Sequence, residues 1–378
     1  MSLLIVLLVG FLLYVIQGVI FRKNWAKGLQ TNIDFEDPIV REGDKNCLVE
    51  VIKNDKLLLL PVLQLKFSIT RTFEFPKENN AAVTDQYYRN DYFTCRPYQI
   101  ITRKYFFKAT RRGEYKITSM DIICKDIFMR KSHFASSVEK SSVLVLPARI
   151  GRDRLTDDII RFTGEVVKKI KLNEDPFQFS SIREYQPYDP MNHINWKATA
   201  KSDFLQVNTF DSTDRKNIVI LLNLDMNLVR NSEDLAEWSI RIASCLSDYF
   251  IGEQIPVALY TNGTDYESDE QISVEAGCDD AHIRNIDIAL ARIKIKDIVP
   301  SFIDVMKERI LTESNDEYII ISNYRKDDFV TALDNMRKNG ANVKLIVPEF
   351  SYTSITPFNE NEANTLKWVI DNEIQKAV

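Results

Sequence analysis

Residues 217–222 read Asn-Ile-Val-Ile-Leu-Leu, and this uninterrupted apolar run decides the fold of the C-terminal half of the chain. A strand that is apolar at every position, instead of at alternate ones, is typical of a parallel strand covered on both faces. The next periodic segment, 233–250, carries Leu235, Trp238 and Ile242 at the spacing of a helix. A buried strand followed by an amphipathic helix predicts an α/β domain.

The alternation of strands and helices continues toward the C-terminus. Strands are predicted over 257–260, 318–322 and 343–347, and helices over 280–293, 302–311, 326–338 and 360–374. Strands that alternate with helices are joined by right-handed crossovers into a parallel sheet. We therefore predict a doubly wound parallel-sheet domain over residues 216–378.

The segment from residue 28 to residue 150 follows a two-residue period. Leu63, Leu65 and Phe67 alternate with polar residues, which places them on one face of a strand. Similar stretches recur at 48–51, 105–109, 115–123 and 142–146, and a polar loop or hairpin tip is expected over 76–89. Several short strands without intervening helices predict an antiparallel β-sandwich over residues 28–150.

The chain has 378 residues, too many for one compact core, and the change of period separates two domains. Residues 151–215 fit neither pattern clearly. We interpret them as a connector, which begins with a weakly amphipathic stretch over 156–172.

Residues 3–21 (LLIVLLVGFLLYVIQGVIF) contain no charge. As a helix they would span about 29 Å, the thickness of the hydrocarbon core of a bilayer. A secretory signal would begin with a basic segment and end at a small-residue cleavage site, and neither is present. Arg22, Lys23 and Lys27 follow the run, and basic residues stay on the cytoplasmic side. Residues 1–27 are therefore predicted to be a single-pass anchor in the cell membrane, and the soluble domains are predicted to lie in the cytoplasm. The alternative is that these residues form a buried core helix.

Composition narrows the possible partners. The net charge is −5, so nucleic acid is not expected as the main partner. The five cysteines are scattered and form no Cys-x-x-Cys pair, which excludes the usual zinc spacings and gives no disulfide framework. This agrees with a reducing compartment.

The segment least like an ordinary linker is 181–201, SIREYQPYDPMNHINWKATAK. It resembles the signature of a widespread prokaryotic family, domain-of-unknown-function family fifty-eight, which reads roughly Arg-Glu-Tyr-x-x-Gly-Asp-Asp-x-Arg-x-Ile-x-Trp-x-x-Ser-Ala-Arg. The matching residues are Arg183, Glu184, Tyr185, Asp189, Ile194, Trp196 and Ala200, with Thr199 and Lys201 as conservative replacements. The chain departs from the signature at Tyr188, Pro190 and Asn192.

Three roles are open for this motif. Arg183 and Glu184 are adjacent, so on an extended backbone they point to opposite faces, and Arg183 is expected to pair with a carboxylate such as Asp189. Tyr185 and Trp196 are expected to bury against the α/β sheet. The motif then clamps the two domains; alternatively it is a surface for a ligand or partner, or it takes part in catalysis.

The resemblance further implies that the C-terminal domain is similar to a von Willebrand factor A domain. In that fold a loop reading Asp-x-Ser-x-Ser after the first strand holds a divalent cation. The corresponding residues here are Asn223, Asp225 and Asn227, and a later strand ends in Asn323 where a further Asp is common. Because hard cations need charged oxygen ligands, we expect no cofactor, or only weak Mg²⁺ or Ca²⁺ binding. The alternative is that these residues cap the following helix and shape a loop.

Motifs of catalysis are missing from the sequence. It contains no Gly-x-Ser-x-Gly elbow, phosphate-binding loop, dinucleotide fingerprint or His-Glu-x-x-His. The three histidines, His133, His193 and His282, have no Cys or carboxylate at ligand spacing. We expect neither an enzyme nor a small-molecule substrate.

The resemblance also implies a partner, because members of this family are commonly encoded beside MoxR-type AAA+ ATPases. We therefore expect a membrane-anchored cytoplasmic scaffold that acts with such an ATPase in the assembly or maturation of other proteins. The alternative is a divalent-cation-dependent ligand-binding or adhesion protein. A carboxylate at position 223 would favour the alternative, and the chain has Asn there.

Overall fold

The structure is a computed structural model with two compact units, Met1–Ala148 with Leu290–Arg292, and Arg149–Ala289 with Ile293–Ala377. The residues it describes are 2–70, 72–75, 81–83, 86–129, 131–150, 157–172, 179–186, 191, 194–202, 204–210, 216–225, 232–295, 301–310, 316–324, 326–351 and 364–370.

The first unit begins with helix α1 (Ser2–Asn24), which is long and apolar enough to cross a membrane. Its first turns are exposed on all sides. Further along, one face of the helix is less exposed than the rest, and it carries Tyr14, Gln17 and Phe21. Their spacing follows the 3.6-residue period of a helix that packs on one side. Phe21 is fully buried.

Two sheets follow α1. In spatial order, the first contains β1 (Leu29–Phe35), β3 (Lys45–Asn54), β8 (Ile100–Ala109) and β5 (Phe73–Glu74). The second contains β2 (Ile39–Arg41), β10 (Ser132–Leu146), β9 (Gly113–Lys125), β4 (Leu60–Thr70), β7 (Gln86–Cys95) and β6 (Ala81–Val83). All neighbouring strands are antiparallel except β2 and β10.

The two sheets enclose one apolar core. Leu63, Leu65 and Phe67 of β4 are buried at alternate positions, as predicted, and share a cluster with Leu48 of β3 and Phe107 of β8. These residues come from both sheets, so the sheets pack face to face as a sandwich. Of the segment predicted as a polar loop or hairpin tip, the described part is a hairpin of β6 and β7.

The second unit contains α2 (Asp157–Leu172), a ribbon of β11 (Phe179–Glu184), α3 (Trp196–Thr199) and β12 (Gln206–Phe210), and an α/β sheet. The strands of the sheet are β13 (Ile218–Leu222), β14 (Val257–Asp265), β15 (Gln271–Gly277), β16 (Ile293–Lys294), β17 (Glu317–Ile321), β18 (Val343–Phe350) and β19 (Thr365–Ile370). The helices are α4 (Ser232–Gly252), α5 (Asp280–Ala291), α6 (Phe302–Arg309) and α7 (Asp327–Lys338). The spatial order is β15-β14-β13-β17-β18-β19, with β16 also paired to β14.

Helices cover both faces of this sheet. All five residues of β13 are buried, and it pairs in parallel with β14 and β17. Val219 and Leu221 pack in one cluster with Phe302 of α6 and Phe329 of α7. On the other face α4 lies against the sheet, and the rings of Trp238 and Trp368 are 5.8 Å apart. The predicted α/β domain with a central parallel sheet is confirmed at this level.

The predicted terminal helix over 360–374 is wrong, because residues 365–370 form β19, parallel to β18. Trp368 and Ile370 are buried and Val369 is exposed, which is the two-residue period of a strand. The residues on either side, 360–363 and 371–374, lie outside the described part of the chain.

Two further features differ from the sequence-based expectation. The segment interpreted as a weakly amphipathic connector is the regular helix α2, with Ile159, Val166 and Val167 buried on one side. The edge strands β15 and β16, which are antiparallel to β14, were not predicted at all.

Candidate functional site

The family-like motif forms the ribbon of β11, α3 and β12. Arg183 and Glu184 of β11 pair in antiparallel register with Val207 and Gln206 of β12. The backbone N–H of Tyr185 donates to the carbonyl of Leu205 at 2.8 Å, which extends the ladder by one residue. The described part of the motif is therefore hydrogen-bonded to β12.

A short helical turn closes the ribbon. The Asn195 side chain accepts a hydrogen bond from the backbone N–H of Ala198 at 2.9 Å, which is the usual role of an N-cap asparagine. The hydroxyl of Thr199 accepts a hydrogen bond from the N–H of Gln206 at 3.0 Å. Thr199 thus ties α3 to β12. Asn195 was not singled out in the sequence, although an Asn immediately before a helical segment is a capping signal.

Apolar side chains of the ribbon divide into a buried pair and an exposed set. Ile194 and Val207 form an isolated β-bridge and are 6% and 2% exposed. Trp196 is 67% exposed, Met191 73% and Phe204 63%. The expectation that Trp196 is buried is therefore wrong. Trp196, two residues after Ile194, begins α3 and is exposed.

The charged residues of the motif lie nearer the surface. The guanidinium of Arg183 donates to the backbone carbonyl of Glu184 at 3.1 Å. Tyr185 is half-buried, and Glu184 and Lys201 are exposed. Six motif residues, 187–190, 192 and 193, lie outside the described residues, so the expected pairing of Arg183 with Asp189 stays a prediction.

A second polar cluster lies where the parallel strands end. The Asn223 amide, just after β13, donates to the hydroxyl of Ser322 at 3.0 Å, and its oxygen accepts from the N–H of Asp225 at 2.8 Å. The Asn262 amide of β14 donates to the Asp225 carboxylate at 2.7 Å and accepts from the N–H of Leu224 at 2.9 Å. The cluster is a closed network of protein hydrogen bonds.

Burial raises the pKa of the Asp225 carboxyl, an effect opposed by hydrogen bonds from the backbone N–H of Phe302 and from Asn262. Asn323 is buried at the same edge of the sheet, and Asn227 lies outside the described residues.

Of the predicted ligands that the structure describes, Asn223, Asp225 and Asn323, only Asp225 carries a charge, and hard cations need charged oxygen ligands. Both polar atoms of the Asn223 amide are already engaged, and Asp225 is the only carboxylate among the predicted ligands. In the part of the chain that the structure describes, no group of three or more His, Cys, Asp or Glu side chains is placed to hold a metal ion. The sequence-based prediction of this site did not include Asn262 and Ser322. Their position at the ends of apolar strands is the pattern that could have indicated them.

No family model matches the chain, and no curated protein matches it. Among solved structures, a CARDB domain from Pyrococcus furiosus in complex with di-metal ions is 11% identical, with 32% of this chain and 90% of that chain covered and a TM-score of 0.21. A non-cellulosomal cohesin from Archaeoglobus fulgidus is 14% identical over 31% of this chain and 91% of that chain, with a TM-score of 0.22. Native alpha-2-macroglobulin from Escherichia coli is 12% identical over 32% of this chain and 24% of that chain, with a TM-score of 0.24. At TM-scores this low, the similarities do not bear on function.

Proposed function

We propose that this chain is a membrane-anchored cytoplasmic scaffold and that its ribbon is the docking surface for a protein partner. The observation that carries the proposal is the exposure of three large apolar side chains, Met191, Trp196 and Phe204, on a backbone held by hydrogen bonds. Exposed apolar surface costs free energy in water, so it is typical of binding sites. Trp is also the residue type most often found to dominate the energy of protein interfaces.

The anchor is α1. Its apolar stretch is long enough to span a bilayer, and Arg22 and Lys23 in its last turn favour the cytoplasmic side. The globular units then follow α1 in the cytoplasm. The scaffold is held at the membrane surface, where a partner can be recruited from solution.

The class of partner comes from the resemblance of the motif to domain-of-unknown-function family fifty-eight. That resemblance implies a MoxR-type AAA+ ATPase, and we propose that the ribbon binds it. Lys197 and Lys201 are exposed beside Trp196, so an acidic rim on the ATPase would complement the site. The proposal includes no catalytic step and no small-molecule substrate.

The alternative, a divalent-cation-dependent ligand-binding or adhesion protein resembling a von Willebrand factor A domain, is less well supported. Such a protein needs several charged oxygen ligands. Asn223 is instead occupied by Ser322 and by the backbone of Asp225.

The test uses the full chain in detergent or nanodiscs and a purified MoxR-type ATPase from the same organism. Trp196→Ala should weaken binding in surface plasmon resonance by about 30-fold, which corresponds to ~2 kcal/mol for a residue central to an interface. Tyr266→Ala, another aromatic residue that is 60% exposed in the same unit, is the matched control and should bind as the wild type does. Equal affinity of wild type, Trp196→Ala and Phe204→Ala would reject the ribbon as the docking surface.

A further inference from the structure

Three turns of the β-sandwich and the end of α1 meet at one end of the first unit. The described residues of the β3–β4, β7–β8 and β9–β10 turns are 55–59, 96–99, and 126–129 with 131. The register places them together, because Leu60 pairs with Cys95, Val62 with Lys125 and Lys53 with Ile100. Leu29, the first residue of β1, pairs with Asn54 at the same end. We refer to the three turns as the anchor end of the sandwich.

Helix α1 is fixed to this end by hydrogen bonds. The Lys56 ammonium donates to the carbonyls of Trp25 and Lys27 at 2.6 and 2.7 Å. The backbone N–H of Asp55 donates to the carbonyl of Gly28 at 2.7 Å. These bonds connect the β3–β4 turn to the chain just after the helix, so α1 leaves the sandwich from its anchor end.

The β9–β10 turn lies beside the part of α1 that would span the membrane. The ring of His133, at the start of β10, is 5.6 Å from that of Phe21 and 5.9 Å from that of Trp25. At the tip, the ring of Phe128 is 5.2 Å from that of Tyr14. Tyr14 lies ten residues before Asn24, which is about 15 Å along a helix. The turn thus reaches well past the end of the helix toward its apolar centre.

Large apolar side chains are exposed in all three turns. Leu57 is 77% exposed, Tyr98 67%, Ile127 52%, Phe128 53% and Met129 63%. A soluble domain rarely exposes such residues together, and their concentration beside an apolar helix indicates that lipid covers them. Clusters of this kind, with aromatic residues, are typical of the boundary between water and hydrocarbon.

The charges at the anchor end suit an anionic lipid surface. Lys27, Arg96 and Lys131 are exposed. Of the acidic residues in the turns, Asp126 is buried and Asp55 pairs with Lys53 at 3.3 Å. Basic residues next to an inserting segment attract anionic headgroups.

We propose that the β9–β10 turn inserts Ile127, Phe128 and Met129 into the bilayer beside α1, while Leu57 and Tyr98 lie at the level of the headgroups. The first unit would then contact the membrane directly and would not swing freely on a single helix. This inference rests on the membrane anchoring proposed above and adds a second contact to it. The ligand is a bilayer that contains anionic phospholipid.

The test places one environment-sensitive fluorophore at a time on the full chain in a Cys278→Ser background, since the other native cysteines are buried. Met129→Cys probes the turn, Val9→Cys probes the centre of α1, and Lys45→Cys probes the opposite end of β3. The protein is reconstituted in vesicles of phosphatidylcholine and phosphatidylglycerol that carry a quencher in their acyl chains. Emission at Met129→Cys and Val9→Cys should shift to the blue and be quenched several-fold more strongly than at Lys45→Cys.

The outcomes separate the two proposals. Quenching at Val9→Cys without quenching at Met129→Cys would overturn the insertion of the turn and leave the anchor intact. Absence of quenching at both positions would reject the anchor itself. A blue shift at Met129→Cys without quenching by lipid would show that protein, such as a second copy of the chain, covers the turn, and would also overturn the inference.

Discussion

Glu50 lies in a buried cluster of charged side chains inside the β-sandwich. Asp91 accepts hydrogen bonds from Arg89 at 2.7 Å and from Arg103 at 3.1 Å. The Tyr105 hydroxyl oxygen is 2.7 Å from Glu50 Oε2 and 3.0 Å from Asp91 Oδ2. The Tyr105 hydroxyl thus lies between the two carboxyl groups. Asp91 has two cationic partners that offset its charge.

Burial raises the pKa of Glu50 from 4.5 to about 7, with the nearby Asp91 charge adding to the effect and the Tyr105 hydrogen bond opposing it. The folded state then binds a proton at the Glu50 carboxyl more tightly than the unfolded state does. The free energy of unfolding therefore falls as the pH rises from about 4.5 to 7. The free energy of unfolding falls by about 3 kcal/mol, because each pKa unit of difference between the folded and unfolded states corresponds to about 1.36 kcal/mol.

Glu50→Gln should lack this part of the pH dependence, because an amide does not ionise. As the pH rises across this range, the unfolding free energy of the wild type should fall relative to that of Glu50→Gln. Urea unfolding measures this difference. Glu36→Gln is the control, since Glu36 is exposed and its pKa is lowered by the Lys104 ammonium. Parallel pH profiles for wild type and Glu50→Gln would mean that Glu50 is ionised in the folded protein.

The exposure of Trp196 predicts a small effect on stability. Trp196→Ala should change the free energy of unfolding by no more than about 0.5 kcal/mol, as is usual for surface positions. Trp368→Ala is the matched variant, because Trp368 is 2% exposed and packs on Trp238, and it should cost about 3–5 kcal/mol. Chemical denaturation measures both. A large loss for Trp196→Ala would show that its ring packs against protein.

The sequence could predict the motif but not the exposure of its tryptophan. A large aromatic residue is on average well buried, so burial was the natural expectation for Trp196. Its surroundings depend on the pairing of Ile194 with Val207, which are 13 residues apart and meet only when the ribbon folds. Local sequence carries no signal for that contact.

At the level of single elements, β14 needs a glycine at position 263. A Cβ atom there would lie 2.8 Å from side-chain carbons of both Ile293 and Leu224. Gly263→Ala should therefore destabilise the second unit by about 1–3 kcal/mol, the usual cost of overpacking. Gly340→Ser in the turn after α7 is not a suitable control, since its φ of +94° is itself unfavourable for other residues.

Gly164→Ala of α2 provides the control for Gly263→Ala. No atom lies within 4 Å of the Cβ position at Gly164. A helical Gly→Ala change there should be neutral or stabilising by up to about 1 kcal/mol. Thermal unfolding of the two variants should give melting temperatures on opposite sides of the wild-type value, and a stable Gly263→Ala would contradict the close packing of β14.

The loop between β13 and α4 gives a prediction about cations. Because the Asn223 amide hydrogen-bonds to Ser322 and to the backbone of Asp225, millimolar Mg²⁺ or Ca²⁺ should leave the melting temperature of the wild type unchanged. Cation at a concentration equal to its Kd would add only about 0.4 kcal/mol. Asn223→Asp removes the donor to Ser322 and sets a second carboxylate beside Asp225, so it should destabilise the protein in chelator and regain stability with Mg²⁺. A wild-type protein stabilised by cation would favour the alternative function.

Elements buried on both faces could be predicted, and edge elements could not. The continuous apolar run predicts β13, because all of its side chains are buried. The helical spacing of apolar residues predicts α4, because one side of that helix packs on the sheet. In β15 only Ile272 is buried, so the strand leaves no clear pattern in the sequence. β19 replaces part of the helix predicted over 360–374, because its buried residues Trp368 and Ile370 alternate as in a strand.

For the whole molecule, the change from a two-residue to a helical period marked two domains, and the structure divides into compact units at Ala148 and Arg149. The sequence shows directly that position 223 is Asn, not a carboxylate. The hydrogen bond from Asn223 to Ser322 and the two that connect Asn262 to Leu224 and Asp225 could not be predicted, because they join residues in or just after three strands that are far apart in the chain.

The last prediction concerns the orientation of the whole chain in the membrane. Arg22, Lys23 and Lys27 follow α1, and basic residues resist transfer across the membrane, so both units should be cytoplasmic. Protease added to intact cells from which any outer wall has been removed should leave the protein uncut, and the same protease after lysis should digest it. Changing the three basic residues to glutamine should raise the fraction digested in intact cells, because the charge bias that sets the orientation is gone. Digestion of the wild type without lysis would place both units outside the cell, where a cytoplasmic ATPase could not reach the ribbon.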